Sequence, residues 1–201
     1  MALLVPVMRT LQSERLLLEP QLAIHAREMF GVLSDPAIYE YENAPPVSEL
    51  ALEERFRKLE SRISPDGSER WLNWVVRLKT GGLIGYVQAT LEDTRRAWLA
   101  YELSSTYWGK GFGSEAVVTM VNELLNFYQA KQLCAVLKRN NSRSRHLLDK
   151  LGFVTGTSQE MLQCVAGSAA TVSVDSDELL MCRSTVMIFN IDEAGIGQQS
   201  L

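Results

Sequence analysis

Histidine is almost missing from this chain, with two residues (His25 and His146), and cysteine is scarce, with three (Cys134, Cys164 and Cys182). No C-x-x-C spacing occurs and no cysteine is grouped with a histidine, so a thiolate or imidazole metal site is excluded as an expectation. An odd cysteine count without a framework suits a reducing compartment. Long apolar runs are also missing, and the apolar start from Met1 to Met8 lacks a basic flank, so neither a spanning helix nor a signal peptide is expected. Excess positive charge is absent as well: 20 Lys and Arg stand against 24 Asp and Glu, a net charge of −4, which argues against nucleic acid or an anionic membrane as a partner. The expected location is cytoplasmic. Internal repeats are missing too. What remains is 201 residues, 46% hydrophobic and 22% charged, enough for one domain with a sizeable core. That domain is expected over residues 1–189, with 190–201 as a loose tail.

The most informative stretch runs Tyr107-Trp108-Gly109-Lys110-Gly111-Phe112-Gly113-Ser114-Glu115-Ala116. Three alternating glycines permit positive φ and close backbone approach, so neighbouring N–H groups can face one anion, and Lys110 adds charge. From Ser114 the apolar residues fall at helical spacing: Val117, Val121, Leu124 and Tyr128. The free N–H groups and dipole of that helix strengthen the phosphate cradle. Glu115 reads first as a cap on this helix.

Around the cradle, the pattern predicts a strand over Arg15 to Pro20, a helix over Leu22 to Leu33, and a proline-rich loop over Ser34 to Pro46. A second helix follows from Ser48. Strands come at Trp71 to Leu78, Leu83 to Leu91 and Ala97 to Leu103, the last running into the cradle. Beyond the cradle helix come a strand at Leu133 to Leu137, a helix over Ser142 to Leu151 stopped by Gly152, and strands at Phe153 to Thr157 and Leu179 to Thr185. Ser158 to Asp177 carries no assignable pattern. Three consecutive strands in mid-chain require a mixed sheet, covered by helices.

Three ligand classes use a glycine-rich loop opening a helix. A Walker A loop is excluded because Lys110 is followed by Gly111 rather than Ser or Thr. A dinucleotide fingerprint is formally present at Gly111, Gly113 and Ala116, but a meander precedes it and no acidic residue ends the next strand. Only an NADP-type oxidoreductase would survive there, with arginine meeting the 2′-phosphate. The third class uses coenzyme A. The segment Tyr101 to Phe153 resembles the GNAT superfamily of N-acetyltransferases, in its RimJ/RimL-like branch: Trp108-Gly109-Lys110-Gly111-Phe112-Gly113 matches the cofactor motif at its small-residue positions, and Asn141, Ser144, Lys150, Leu151, Gly152 and Phe153 reproduce N-x-x-S-x(5)-K-L-G-F.

The resemblance implies an α/β fold with a mixed, splayed central sheet of about seven strands, flanked by helices on both faces. It implies acetyl-CoA as co-substrate and a primary amine as acceptor, either a protein N-terminal α-amine or a small amine, joined by direct attack in a ternary complex. A homodimer is compatible with such a chain. The pyrophosphate would rest on the N–H groups of Trp108, Gly109, Lys110, Gly111, Phe112, Gly113 and Ser114. The pantetheine arm would pair with backbone of Tyr101, Leu103 and Ser104, with Asn141 and Ser144 beside it. Lys138, Arg139, Arg143 and Arg145 either meet the 3′-phosphate or form a solvated face, while Tyr39, Tyr41 and Glu42 stand where the acceptor enters. Two positions often catalytic in the family are Ala97 and Leu148 here, so a base and an acid must come from elsewhere. Glu102 is the candidate base if a bulge turns it toward the acceptor, and Ser144 the candidate proton donor, directly or through water. The missing pair also motivates an alternative, a degenerate GNAT fold that binds CoA or a partner without catalysis.

Overall fold

Leucine-rich alternation near the N-terminus builds a two-residue strand β1 (Leu11–Gln12) and β2 (Leu16–Pro20), in which Leu16 and Leu18 are fully buried. The computed structural model describes residues 7–41, 44–156 and 174–184. The expectations for Glu42, the bulk of Ser158 to Asp177, Cys164 and the 190–201 tail fall outside these residues.

After β2, a short 3-10 turn (Ala23–His25) leads into helix α1 (Ala26–Leu33), which buries Ala26, Met29 and Leu33. A second 3-10 turn (Pro36–Tyr39) begins at Asp35, whose side chain accepts from the Ala37 N–H. Helix α2 (Glu49–Leu59) is capped by Ser48, whose hydroxyl accepts from the Ala51 N–H at 3.1 Å. Strands β3 (Glu69–Leu78), β4 (Leu83–Glu92) and β5 (Arg96–Leu103) form the antiparallel meander. Then come α3 (Phe112–Asn126), β6 (Gln132–Lys138), α4 (Ser142–Lys150), β7 (Val154–Thr155) and β8 (Glu178–Ser184).

The sheet has eight strands in the order β1-β2-β3-β4-β5-β6-β8-β7, one more than the sequence suggests. The extra strand is β1, too short at two residues to leave a period-2 signal. Every neighbouring pair is antiparallel except β5 and β6. A larger apolar cluster, including Leu16, Trp74, Val87, Ala97, Val117, Leu124 and Leu148, fills one face under α3 and α4. A smaller one, with Met29, Leu52, Phe56 and Val75, lies under α1 and α2 on the other face.

The parallel seam is short. It joins Arg96 to Gln132, Ala97 to Leu133 and Trp98 to Cys134, then stops while β5 continues to Leu103. From Leu99 onward β5 is paired only with β4, and from Ala135 onward β6 is paired only with β8. The sheet therefore splays. Gly85 on β4 allows the tight approach on the other flank of β5: a Cβ there would lie 2.1 Å from the Glu102 carbonyl oxygen and 2.7 Å from the Leu103 Cα.

Candidate active site

Strand alternation decides which backbone groups of β5 face the gap. The Ser104 N–H donates to the Ile84 carbonyl at 2.9 Å, so Ser104 points its N–H at β4. In an antiparallel ladder, residues at odd separation from it turn their backbone groups the opposite way, which aims those of Tyr101 and Leu103 into the gap. The Leu103 carbonyl is already engaged there, accepting from Trp108 Nε1 at 2.8 Å. Of the three backbone positions expected from the sequence, Tyr101 keeps both groups on the open edge and Ser104 commits its N–H elsewhere.

The cradle follows directly. Gly109 and Gly111 adopt left-handed φ of 70° and 82°, and Gly111 is the N-cap of α3. Glycine is suited to both positions because a side chain strains that conformation. Helix α3 begins at Phe112, two residues earlier than the apolar periodicity suggests, and no side chain caps it among the described residues. The first intrahelical bond at this end is from the Glu115 N–H to the Gly111 carbonyl at 3.0 Å, leaving the Phe112, Gly113 and Ser114 N–H groups as the free donors of the turn. Lys110 Nζ donates to the Thr106 carbonyl at 2.7 Å and stands over the Tyr107 ring. Its charge is thereby held beside the loop.

Glu115, expected from the sequence as a cap, makes no cap bond to α3 and turns to the start of β2 instead. Its carboxylate accepts from the Ser13 hydroxyl (2.7 Å), the Arg15 N–H (2.7 Å) and Arg15 Nε (2.6 Å), and the Arg15 guanidinium lies over the Phe112 ring and donates to the Lys110 carbonyl. Burial alone would raise this carboxyl, but the Arg15 and Ser13 bonds outweigh it and hold Glu115 below the ordinary carboxylate range. The start of β2 is thus fastened to the cradle from a part of the chain that the motif does not include.

Across the gap, the Asn141 side chain accepts from the Ser144 N–H at 3.0 Å, which caps α4. The Ser144 hydroxyl meets the Tyr101 hydroxyl at 2.7 Å. Burial pushes the Tyr101 phenol up to about 12, with the Ser144 bond acting in the opposite direction, so it is a neutral donor near neutral pH. The sequence identified Tyr101 for its backbone; its hydroxyl was not foreseen.

Glu102 lies on the other face. It is the cross-strand partner of Tyr86, which packs on the α1/α2 cluster, and facing cross-strand residues share a side of the sheet. The Tyr86 hydroxyl donates to the Glu102 carboxylate, and burial followed by the Glu102 charge raises the Tyr86 phenol strongly. Tyr39 is pushed up to about 12 by burial and then by Glu102, and its hydroxyl donates to the Leu33 carbonyl at 2.8 Å. The candidate base and the candidate proton donor therefore sit on opposite faces of one splayed strand. Ala97 and Leu148 are fully buried in the core and carry no proton chemistry.

The basic residues divide. Lys138 is paired with Asp177 and Glu178, and Arg139 donates to the Ser176 carbonyl, so both are engaged at the β8 approach. Arg145 lies near Asp149 on its own helix. Of these four candidates Arg143 reaches the cradle: its guanidinium stacks 4.1 Å from the Trp108 ring and bonds Glu40 at 2.7 Å. Asp35 accepts from the Ser105 N–H at 2.9 Å, so the loop before α2 is tied twice to the region around the cradle. A surface groove of about 410 Å³ between α3 and the end of α4, lined by Val118, Asn122, Lys150 and Arg183, shares no residue with this site.

Comparison with known proteins bears on this arrangement. The acetyltransferase (GNAT) domain family matches residues 15–154. The uncharacterized N-acetyltransferase p20 of Bacillus licheniformis is 28% identical over 148 residues, covering 73% of this chain and 83% of its own length. Many solved structures share the fold, among them two with bound CoA species. RimJ of Mycobacterium smegmatis, in complex with CoA-disulfide, has a TM-score of 0.69 at 17% identity and covers 88% of each chain. RimL, a ribosomal-protein α-N-acetyltransferase in complex with coenzyme A, has a TM-score of 0.70 at 11% identity, covering 88% of this chain and 98% of its own.

Proposed function

The chain belongs to the GNAT acetyltransferase family, and on that premise we propose that it moves acetyl from acetyl-CoA to a primary amine, a protein N-terminal α-amine or a small-molecule amine, by direct attack in a ternary complex in the cytoplasm. The observation that carries this reading is the bare Tyr101 edge of β5, which opens beside the uncapped N-terminus of α3. An uncapped helix N-terminus with two left-handed glycines suits a pyrophosphate, and a strand edge with free amide groups suits an arm that carries amides of its own. The RimJ and RimL neighbours were solved with CoA species, which supports the same donor here.

The chemistry divides by face. Acetyl-CoA supplies the activated acyl group. Glu102, on the α1/α2 face, takes the proton of the incoming ammonium. The Tyr101 edge offers a backbone N–H to the thioester carbonyl as its oxygen gains charge. After attack the nitrogen sheds its second proton to solvent; Ser144 gives a proton to the departing thiolate and regains one through the Tyr101 hydroxyl, which is reprotonated from solvent, so both hydroxyls end neutral beside an amide and a CoA thiol. Holding amine and thioester together contributes most, with a ceiling of roughly 7–11 kcal/mol. Deprotonating an α-amine at pH 7 costs about 1 kcal/mol, against roughly 4 to 5 for a lysine, so a site with one carboxylate base suits the α-amine better.

Calorimetry on Gly111→Asp tests the donor side: a side chain at that left-handed position should abolish measurable acetyl-CoA binding, and unchanged affinity would remove the cradle. Free-thiol release against N-terminal peptides, polyamines and aminoglycosides tests transfer. Acetyl-CoA binding with silence across the panel would favour a CoA-binding module without catalysis, for which the buried Ala97 and Leu148 are the motivating observation. Saturable NADPH binding would instead revive the dinucleotide reading.

A further inference from the structure

Cys134 on β6 and Cys182 on β8 stand directly opposite one another, with their sulfurs 3.2 Å apart. The pairing type follows from the ladder. The Arg139 N–H donates to the Asp177 carbonyl at 2.9 Å, which continues the β6–β8 register by one step and marks a hydrogen-bonded pair. Counting down in alternation makes Cys134 and Cys182 a non-hydrogen-bonded pair, the kind in which side chains approach most closely. Their Cα separation then falls within the range a disulfide spans. On the other side of β8, the Gly156 N–H bonds the Leu180 carbonyl, so the backbone of Cys182 also turns toward β7, as this count requires.

Surroundings add a second argument. The two cysteines form a small apolar cluster with Leu180, beside the half-buried Trp98, Val136 and Val174, separate from both main cores. Cys134 is also the parallel partner of Trp98, the last pair before β5 and β6 separate.

We propose that Cys134 and Cys182 are an intramolecular dithiol that a low-molecular-weight disulfide converts into a cross-strand disulfide at the apex of the splay. Both cysteines are buried, so the oxidant reaches the pair when the β7–β8 edge of the sheet opens locally, and Cys182, on the strand nearer that edge, exchanges first. Its thiolate attacks one sulfur of the oxidant and releases one thiolate, forming a mixed disulfide. The Cys134 thiolate then attacks the Cys182 sulfur and releases the second. Two protons leave the protein thiols, two electrons pass to the oxidant, and one disulfide becomes two thiols. The product fastens β8 to β6 beside the three-residue seam, leaving the cradle, Tyr101, Glu102 and Ser144 untouched.

Oxidised glutathione at neutral pH is the probe, on full-length protein carrying Cys164→Ser so that only this pair remains. The expected result is an intact mass lower by two hydrogens, a linked Cys134–Cys182 peptide after non-reducing digestion, and full reversal by dithiothreitol. In the same background Cys134→Ser should hold a stable glutathione adduct on Cys182. An unchanged mass, or glutathione retained on the unmutated pair without a link, would overturn the proposal.

Discussion

The hydroxyls of Tyr101 and Ser144 lie 2.7 Å apart, joining the open strand β5 to the first turn of α4. One residue is 43 positions from the other in sequence, and the bond spans the gap where the sheet splays. If this pair delivers the proton to the leaving thiolate, Ser144→Ala should lower kcat by about 10²-fold with little change in acetyl-CoA affinity. Tyr101→Phe should cost less, about tenfold, and the double variant should resemble Ser144→Ala alone, because both act in one network. Steady-state kinetics with calorimetry separates the two effects.

Glu102→Gln should reduce kcat/KM by about 10²-fold at neutral pH, and the loss should shrink as pH rises and the amine arrives already neutral. Tyr86→Phe removes the donor to Glu102 and should lower the rate less than Glu102→Gln does. A pH–rate profile for the three proteins checks this.

Gly85→Ala places a Cβ 2.1 Å from the Glu102 carbonyl oxygen. That contact is with backbone, so β4 and β5 must move apart. The expected cost is about 2–4 kcal/mol of stability, together with weaker acetyl-CoA binding, since Tyr101 and Leu103 lie on the displaced strand. Urea denaturation and calorimetry on one preparation read both.

Glu115 gives a pH signature. Its folded carboxyl is held below the ordinary range, so the stability it contributes is present above the unfolded value near 4.3 and is lost as pH falls through the lower folded value. Glu115→Gln should therefore be less stable at pH 7, by about 1–2 kcal/mol, and the gap to the parent should narrow as pH drops below about 4. Chemical denaturation across pH 3 to 7 measures it.

How much of this was legible in the sequence depends on the reach of each signal. The cradle glycines, the meander and the N-x-x-S helix were readable because spacing and local conformation lie within one short window. Glu115 was read as a cap, yet its partners Ser13 and Arg15 are about a hundred residues away and no periodicity links them. The face of Glu102 depended on its register with Tyr86, and register is fixed by pairing rather than by propensity. Cys134 and Cys182 carried no motif because 48 residues separate them, although the ladder sets them opposite. Arg143 was one of four basic candidates in the sequence, and only the fold separated it from the three that pair with Asp or with main chain.

The three-residue seam also bears on how the chain assembles. Strands β2 to β5 pair with their antiparallel neighbours, and β3 to β5 zip through tight turns. The seam, by contrast, must bring Gln132 to Arg96 across 36 residues, including all of α3. Contact-order reasoning places that closure after the β3–β5 meander, whose partners lie far closer in sequence. Amide exchange at Ala97 and Cys134, whose N–H groups face the seam by strand alternation, should then report that step, and the donor cleft comes into being only as it completes.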